Sequence, residues 1–150
     1  MKFEISDESV LMLSGVGVAT VAGFALLAPR EHHNVFFAKD QPYNETMNRW
    51  FGQALACKAT SDMCISACDA NNVWPGFPCV HCFAFCGFHC FIVADTLKAS
   101  LKLSGVQWFA ASAALAHATA TGKLNSIGYG AAAGQAAMGA LCLWRGFCDD

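Results

Sequence analysis

Three histidines in apolar surroundings are the side chains of this sequence best suited to bind a cofactor. His81 and His89 belong to a segment rich in Phe and Cys, and His117 belongs to the next apolar segment. An imidazole in hydrocarbon needs either a hydrogen-bond partner or a metal ion. Axial ligation of a tetrapyrrole is one possibility, for which each of the three is a candidate ligand, with chlorophyll magnesium favoured over haem iron. The alternative is an interhelical hydrogen bond to Ser, Thr or a backbone carbonyl.

The nine cysteines allow several chemistries. A disulfide between Cys68 and Cys79 would join two neighbouring segments in an oxidising compartment, and reduced thiols are the alternative. Cys82, Cys86 and Cys90 repeat every four residues and would form a stripe along a helix, whereas an iron–sulfur cluster needs converging thiolates. A structural zinc site would need a second ligand pair at comparable spacing, which the sequence lacks.

One cysteine motif resembles that of a known enzyme class. Cys79-x-x-Cys82 near a helix N-terminus, with Cys64 and Cys68 as a relay pair, resembles the arrangement in quinone-linked membrane oxidoreductases of the vitamin K epoxide reductase type. The resemblance covers the two-residue spacing and the helical setting, and it implies a thiol–disulfide activity. The sequence contains no Walker loop, no HExxH motif and no convergent Ser/His/Asp set. We therefore expect a protein without catalytic activity, with the oxidoreductase as the alternative.

Two charged residues interrupt one apolar segment. Lys58 and Asp62 are four residues apart and can pair on one helix face, which should turn toward protein rather than lipid. Together with Asp95, they are the residues to inspect if the chain is a small transporter or a lipid-binding scaffold.

The elements that must position these residues are long apolar helices. The composition is 55% hydrophobic and only 13% charged, against about 25% charged in an ordinary soluble domain. These values predict an all-α integral membrane bundle in a single domain over 1–150, with five transmembrane helices, or four if the last two segments hold one span and one shallow helix. The predicted spans are 10–28, 47–70, 77–97, 105–120 and 126–145.

Tryptophans and basic residues assign the ends of these spans to the two sides of the membrane. Five crossings place Trp50, Trp108 and Trp144 on a basic side opposite the acidic N-terminus, and Trp74 on the N-terminal side. The basic residues expected on that opposite side are Arg30, Lys39, Arg49, Lys98, Lys102 and Arg145.

Small residues at four-residue spacing predict close helix contacts, because they let two backbones approach each other. The predicted faces are Gly15/Ala19/Gly23, Ser112/Ala116/Ala120 and Gly130/Gly134.

Taken together, these features predict a non-catalytic accessory subunit of a large energy-transducing membrane complex. A photosystem in the thylakoid is favoured, because scattered His, Gln and Phe side chains suit contacts with chlorophyll and carotenoid; a respiratory complex of the mitochondrial inner membrane is the alternative. The expected partners are other membrane subunits, lipids and pigments. The net charge of −2 argues against nucleic acid as a partner. The paired Glu and Asn/His-x-Arg motifs of light-harvesting proteins are absent.

Overall fold

The computed structural model describes residues 5–70 and 97–148, and these residues confirm the predicted all-helical class. The described part contains no strand, only an isolated bridge between Phe37 and Leu124. Four helices are long and one is short. They are α1 (Asp7–Leu27), α2 (Pro29–Phe36), α3 (Glu45–Ala70), α4 (Leu97–Ala120) and α5 (Ile127–Phe147).

Local sequence signals mark several of the helix ends. Ser6 caps α1, because its hydroxyl accepts a hydrogen bond from the Ser9 amide at 3.2 Å. Pro29 occupies the first turn of α2, where a missing amide hydrogen costs nothing. Gly122 adopts a φ of 74° in the turn after α4, a conformation that side chains with a Cβ rarely accept. The long helices begin and end within a few residues of the predicted segments 10–28, 47–70, 105–120 and 126–145, except that α4 begins earlier, at Leu97.

The long helices pack as two antiparallel hairpins. In the first hairpin, formed by α1 and α3, Gly15 lies against Met63 while Gly52 lies against Ala25, so the two helices run in opposite directions. In the second hairpin, formed by α4 and α5, Gly105 lies against Leu143. The short helix α2 and the loop after it cross one end of this four-helix bundle.

Contacts between the hairpins fix which helix ends lie together. At the end of the bundle where α1 begins, which we call the N-terminal end, the Asp7 carboxylate binds Lys98 Nζ at 2.9 Å and Arg145 Nε at 2.6 Å. At the opposite end, the Ala38 amide donates to the Lys123 carbonyl at 3.2 Å. The start of α4 and the end of α5 therefore lie beside the start of α1.

This arrangement shows that the predicted side is wrong for the basic residues of α4 and α5, whereas Arg49, which donates to the Leu26 carbonyl at 3.1 Å, lies at the end opposite Asp7 as predicted. Lys98 and Arg145 were expected opposite the acidic N-terminus, but both contact Asp7. In the structure α4 begins at the same end of the bundle as that at which α3 finishes, where Ser66 of α3 donates to the Glu8 carbonyl of α1. Apart from Leu97, the third predicted span, 77–97, lies outside the described residues.

The tryptophans are also distributed differently from the prediction. Trp108 is the twelfth of the 24 residues of α4, so it lies in the middle of a helix and not at the start of a span. Trp50 and Trp144 are exposed by 65% and 58%, and they lie near opposite ends of the bundle. Trp74 lies outside the described residues. The described tryptophans thus include one at each end, which is the distribution that two lipid–water interfaces favour.

The helix ends give a direct test of topology. If the bundle crosses a membrane, a membrane-impermeant maleimide is expected to label Ser6→Cys and native Cys148 from the same side, and Lys123→Cys from the other. Label sites would be read by peptide mass spectrometry of sealed vesicles, with solubilised protein as the control for reactivity. Labelling of Ser6→Cys and Cys148 from opposite sides would contradict the arrangement.

Candidate functional site

The most deeply buried charge among the described residues is the carboxylate of Asp62 in α3, which is 1% exposed. The Ser14 hydroxyl of α1 donates to Asp62 Oδ2 at 2.7 Å. Lys58, one turn earlier in α3, places its Nζ at 2.8 Å from the same oxygen. The predicted pairing of Lys58 with Asp62 on an inward-facing surface of the helix is therefore confirmed.

The second hairpin completes this site. Lys58 Nζ also donates to Ser104 Oγ of α4 at 2.8 Å, and the indole Nε1 of Trp108 donates to Ser14 Oγ at 2.9 Å. The two serine oxygens are 3.4 Å apart. We call Ser14, Lys58, Asp62, Ser104 and Trp108 the central polar cluster. It joins the hairpins by side-chain hydrogen bonds in both directions.

The central polar cluster lies inside the bundle and not at its rim. Ser14 is seven residues into α1 from Asp7, which is about 10 Å along the helix axis. Taking two charges out of water costs several kcal/mol per ion, and their mutual attraction repays this only where other hydrogen bonds complete the site. The two serine hydroxyls provide such bonds to Asp62 and Lys58.

The cluster lies on a repeat within the chain. Leu11–Val16 reads LMLSGV and Leu101–Val106 reads LKLSGV, so five of six residues are identical at a spacing of 90. In both copies the first Leu, the Ser and the Gly are buried while the Val is exposed. Ser14 and Ser104 are thus equivalent residues that meet between the hairpins, as expected for a two-fold relation.

The second helices of the hairpins repeat as well, with a spacing of 80. Gly15 faces Ala59 and Met63 of α3, and the equivalent Gly105 faces Gly139 and Leu143 of α5. Every buried position of α5 has a buried counterpart in α3. The pairs are Asn48/Gly128, Gly52/Ala132, Ala59/Gly139, Asp62/Cys142 and Ser66/Gly146.

The residues equivalent to Lys58 and Asp62 in the second hairpin are uncharged. The counterpart of Asp62 is Cys142, whose buried thiol has the Ser104 hydroxyl as a hydrogen-bond partner, as Asp62 has Ser14. The counterpart of Lys58 is the apolar Met138. The same packing position is therefore filled by a charged pair in one hairpin and by a neutral pair in the other.

The candidate cofactor ligands lie apart from this cluster. His117 lies in the last turn of α4 with an exposed side chain, so it is closer to the helix end than the sequence suggested. His81, His89, Cys79 and Cys82 lie outside the described residues. Cys68 lies near the end of α3, but its side chain is outside the described part.

The remaining cysteines and titratable groups do not form a metal site in the part of the chain that is described. Cys57, Cys142 and Cys148 are free thiols there. Cys148 lies at the N-terminal end with Lys98, not at the opposite surface as predicted. Within residues 5–70 and 97–148, no three His, Cys, Asp or Glu side chains converge on one point.

A second polar group was missed by the sequence analysis. His32 and His33 are buried in α2. His32 Nδ1 lies 2.8 Å from Asn48 Oδ1, and the ring of His33 stacks on Phe37 at 4.5 Å between centroids. The doublet packs α2 against the end of the first hairpin. The sequence signal for this packing is the spacing of four between His32 and Phe36 and between His33 and Phe37, which places each histidine beside an aromatic ring on one face of a helix.

Only some of the predicted small-residue contacts occur. Gly15 is in close contact with Met63, as expected. A Cβ added at Gly23, Gly130 or Gly134 would meet nothing within 4 Å. The close contacts of the second hairpin instead use Gly105 and Gly139. The GxxxG motif of α5 therefore faces away from its own hairpin.

The chain matches no protein-family model, and it has no significant match among curated proteins or solved structures.

Proposed function

We propose that the chain is a non-catalytic, membrane-embedded subunit of a larger membrane complex. In this proposal α1, α3, α4 and α5 cross the bilayer, and the outer faces of the bundle bind other subunits. Among the described helices, α1 alone combines the length of a membrane span with a strongly apolar composition. The extension to the other three long helices rests on three further observations.

The first observation is the position of the charges. Three uncharged stretches, 9–29, 103–122 and 124–144, each contain 20 or 21 residues without Asp, Glu, Lys or Arg. About 20 such residues are needed to cross the hydrocarbon of a bilayer. They overlap α1, α4 and α5, so the charged residues within these helices all lie toward the N-terminal end of the bundle, and the charges that flank the stretches at the other end are Arg30 and Lys123.

The second observation is that α3, the one long helix with charges in its middle, turns them inward. Lys58 and Asp62 pair with each other and with serines of both hairpins. A charged residue within a membrane span is expected to face the bundle interior and to have a partner there. The central polar cluster meets both conditions.

The third observation is the outer surface of the bundle, and it carries the proposal. Large apolar side chains are exposed along the helices, among them Leu13, Val16, Val106 and Phe109. On water-facing helices such surfaces are limited in extent, but lipid accepts them. In the middle of α5, between the exposed rings of Tyr129 and Trp144, four exposed residues are small, which lets a neighbouring membrane helix approach closely. These residues are Gly130, Ala133, Gly134 and Ala137.

We further propose that the complex is a photosystem and that the chain contacts pigment. The supporting observation is the position of His117, an exposed imidazole on the outer face of α4 with the small exposed side chains of Ala113 and Ala114 beside it. Such a histidine can ligate the magnesium of a chlorophyll bound between subunits. His117→Leu is expected to reduce the chlorophyll absorption of the purified complex while the bundle stays folded.

The subunit proposal is tested by the migration of the complex after mild detergent extraction from the native membrane. We expect the wild type to migrate in a high-mass band, and Gly134→Leu to migrate as the free chain because leucine fills the surface that a partner helix would occupy. Gly17→Leu is the matched control. Gly17 is also exposed, and a Cβ added there would also meet nothing within 4 Å, but this residue lies on α1. A wild-type chain that migrates alone would overturn the proposal.

A further inference from the structure

A groove of about 430 Å³ runs along the outer surface of the first hairpin, on α1 and beside the end of α3. It starts at the N-terminal end of the bundle, where Glu8 and Ser66 lie, and reaches Val16, eight residues or about 12 Å further along α1. One end of the groove is polar and the other is apolar. The residues that line it are Glu8, Ser9, Met12, Leu13, Val16 and Ser66.

This change from polar to apolar follows the direction in which a bilayer changes. The inference rests on the membrane proposal above, in which the uncharged stretch 9–29 crosses the hydrocarbon, so that Glu8 lies at the level of the lipid headgroups. Leu13 and Val16, which lie deeper, are exposed by 52% and 49%. A groove with a carboxylate at headgroup level and apolar walls beneath it fits a phospholipid whose acyl chain lies along α1.

The carboxylate of Glu8 has no counter-ion within residues 5–70 and 97–148. The neighbouring Asp7 binds both Lys98 and Arg145, and none of the ion pairs in this part of the chain includes Glu8. The Ser66 hydroxyl donates to the backbone carbonyl of Glu8 at 2.8 Å and not to its side chain. A cation supplied by a ligand would therefore complete the charge balance at the polar end of the groove.

The equivalent surface of the second hairpin carries an ammonium group of the chain itself. At the spacing of 90, Met12 corresponds to Lys102. The stem of Lys102 packs against Gly146, the counterpart of Ser66, and its Nζ lies 4.5 Å from the centroid of the Phe147 ring. The first hairpin has the apolar Met12 at this position, so its groove keeps a carboxylate and lacks the ammonium.

We propose that the groove binds phosphatidylethanolamine, with the ammonium headgroup bonded to the Glu8 carboxylate. A primary ammonium carries three N–H donors, which can form charge-assisted hydrogen bonds to Glu8 and to the Ser9 hydroxyl. The trimethylammonium group of phosphatidylcholine has no N–H donor and is typically held by aromatic rings, and none of the six lining residues is aromatic. The negative charge of phosphatidylglycerol would be repelled by Glu8.

Native mass spectrometry of the purified full chain in detergent micelles tests this proposal. Phosphatidylethanolamine, phosphatidylcholine and phosphatidylglycerol with identical acyl chains are added in turn. The wild type is expected to bind phosphatidylethanolamine about tenfold more tightly than the other two, as one hydrogen bond to a charged group predicts. Glu8→Gln should remove this preference. Glu31→Gln, which changes an exposed carboxylate of α2 at the other end of the bundle, should keep it.

A second pair of variants places the side chain of the second hairpin in the groove. In Met12→Lys the new ammonium group lies four residues after Glu8, a spacing at which Glu and Lys pair on a helix. We expect this variant to lose the preference for phosphatidylethanolamine, because Glu8 then has a counter-ion within the chain. Met12→Leu is the matched control, since it keeps the apolar wall and should retain the preference.

Three outcomes would overturn the proposal. Equal binding of the three lipids by the wild type would contradict it, as would a preference that survives in Glu8→Gln. Absence of bound lipid from a chain that needs detergent for extraction would also contradict it, and would point to residues 71–96 of the chain itself as the occupant of the groove. Recovery of the chain in the aqueous fraction without detergent would overturn the membrane proposal, and this one with it.

Discussion

Asp62→Ala is expected to lower the free energy of unfolding by about 3–5 kcal/mol, because it leaves the ammonium of Lys58 inside the bundle without its counter-ion. The Ser14 hydroxyl loses its acceptor at the same time. The value can be measured by unfolding the protein with SDS in mixed micelles, followed by circular dichroism.

The double variant Lys58→Met/Asp62→Cys separates the cost of an unpaired charge from the value of the pair. It should recover most of the loss and unfold within about 1 kcal/mol of the wild type, since it removes both charges together. Equal destabilisation of Asp62→Ala and the double variant would show that the pair itself stabilises the fold. Met and Cys at positions 58 and 62 would then stabilise the first hairpin less than the charged pair does, although Met138 and Cys142 fill the equivalent positions of the second hairpin.

Gly105→Leu is expected to cost about 2–3 kcal/mol, in the upper part of the usual range for overpacking. A Cβ at this position would lie 2.6 Å from Leu143 Cγ and 3.0 Å from the carbonyl oxygen of Gly139. The leucine side chain of the neighbour can rotate, but the backbone of α5 must move. We expect an earlier SDS midpoint and weaker contact between α4 and α5.

Gly130→Leu is the control for this variant. A Cβ at Gly130 would meet nothing within 4 Å, and leucine favours the helix over glycine by up to about 1 kcal/mol. The isolated chain should therefore be unchanged or slightly more stable. Destabilisation equal to that of Gly105→Leu would indicate that α5 presents a different face to α4.

Features set by neighbours in sequence were predictable. The helical class follows from long uncharged runs, and α1 begins at Asp7, three residues before the predicted span 10–28. The Lys58–Asp62 pair follows from a spacing of four on one helix. Each of these features depends on residues within a turn or two of the same helix, so the residues that interact are close together in the sequence.

Features set by contacts between distant segments were not predictable in the same way. Trp108 was predicted at the start of a span. Its hydrogen bond to Ser14 joins residues that are 94 positions apart, and no local pattern around Trp108 indicates that contact. The side predicted for Lys98 and Arg145 was wrong because their contacts with Asp7 join residues 91 and 138 positions apart, which no local pattern indicates. One long-range signal was present in the sequence, the repeated LxLSGV at Leu11–Val16 and Leu101–Val106, and it was the clue to the pairing of Ser14 with Ser104.

The hairpins are pinned to each other at three levels along the bundle. Asp7 holds Lys98 and Arg145 at one end, and the Ala38 amide binds the Lys123 carbonyl at the other, with the central polar cluster between them. Because the hairpins are joined at both ends, loss of the contacts in the middle does not by itself allow one hairpin to slide along the other. The end contacts therefore hold the two hairpins in register even when a substitution such as Lys58→Met/Asp62→Cys removes the charged pair between them.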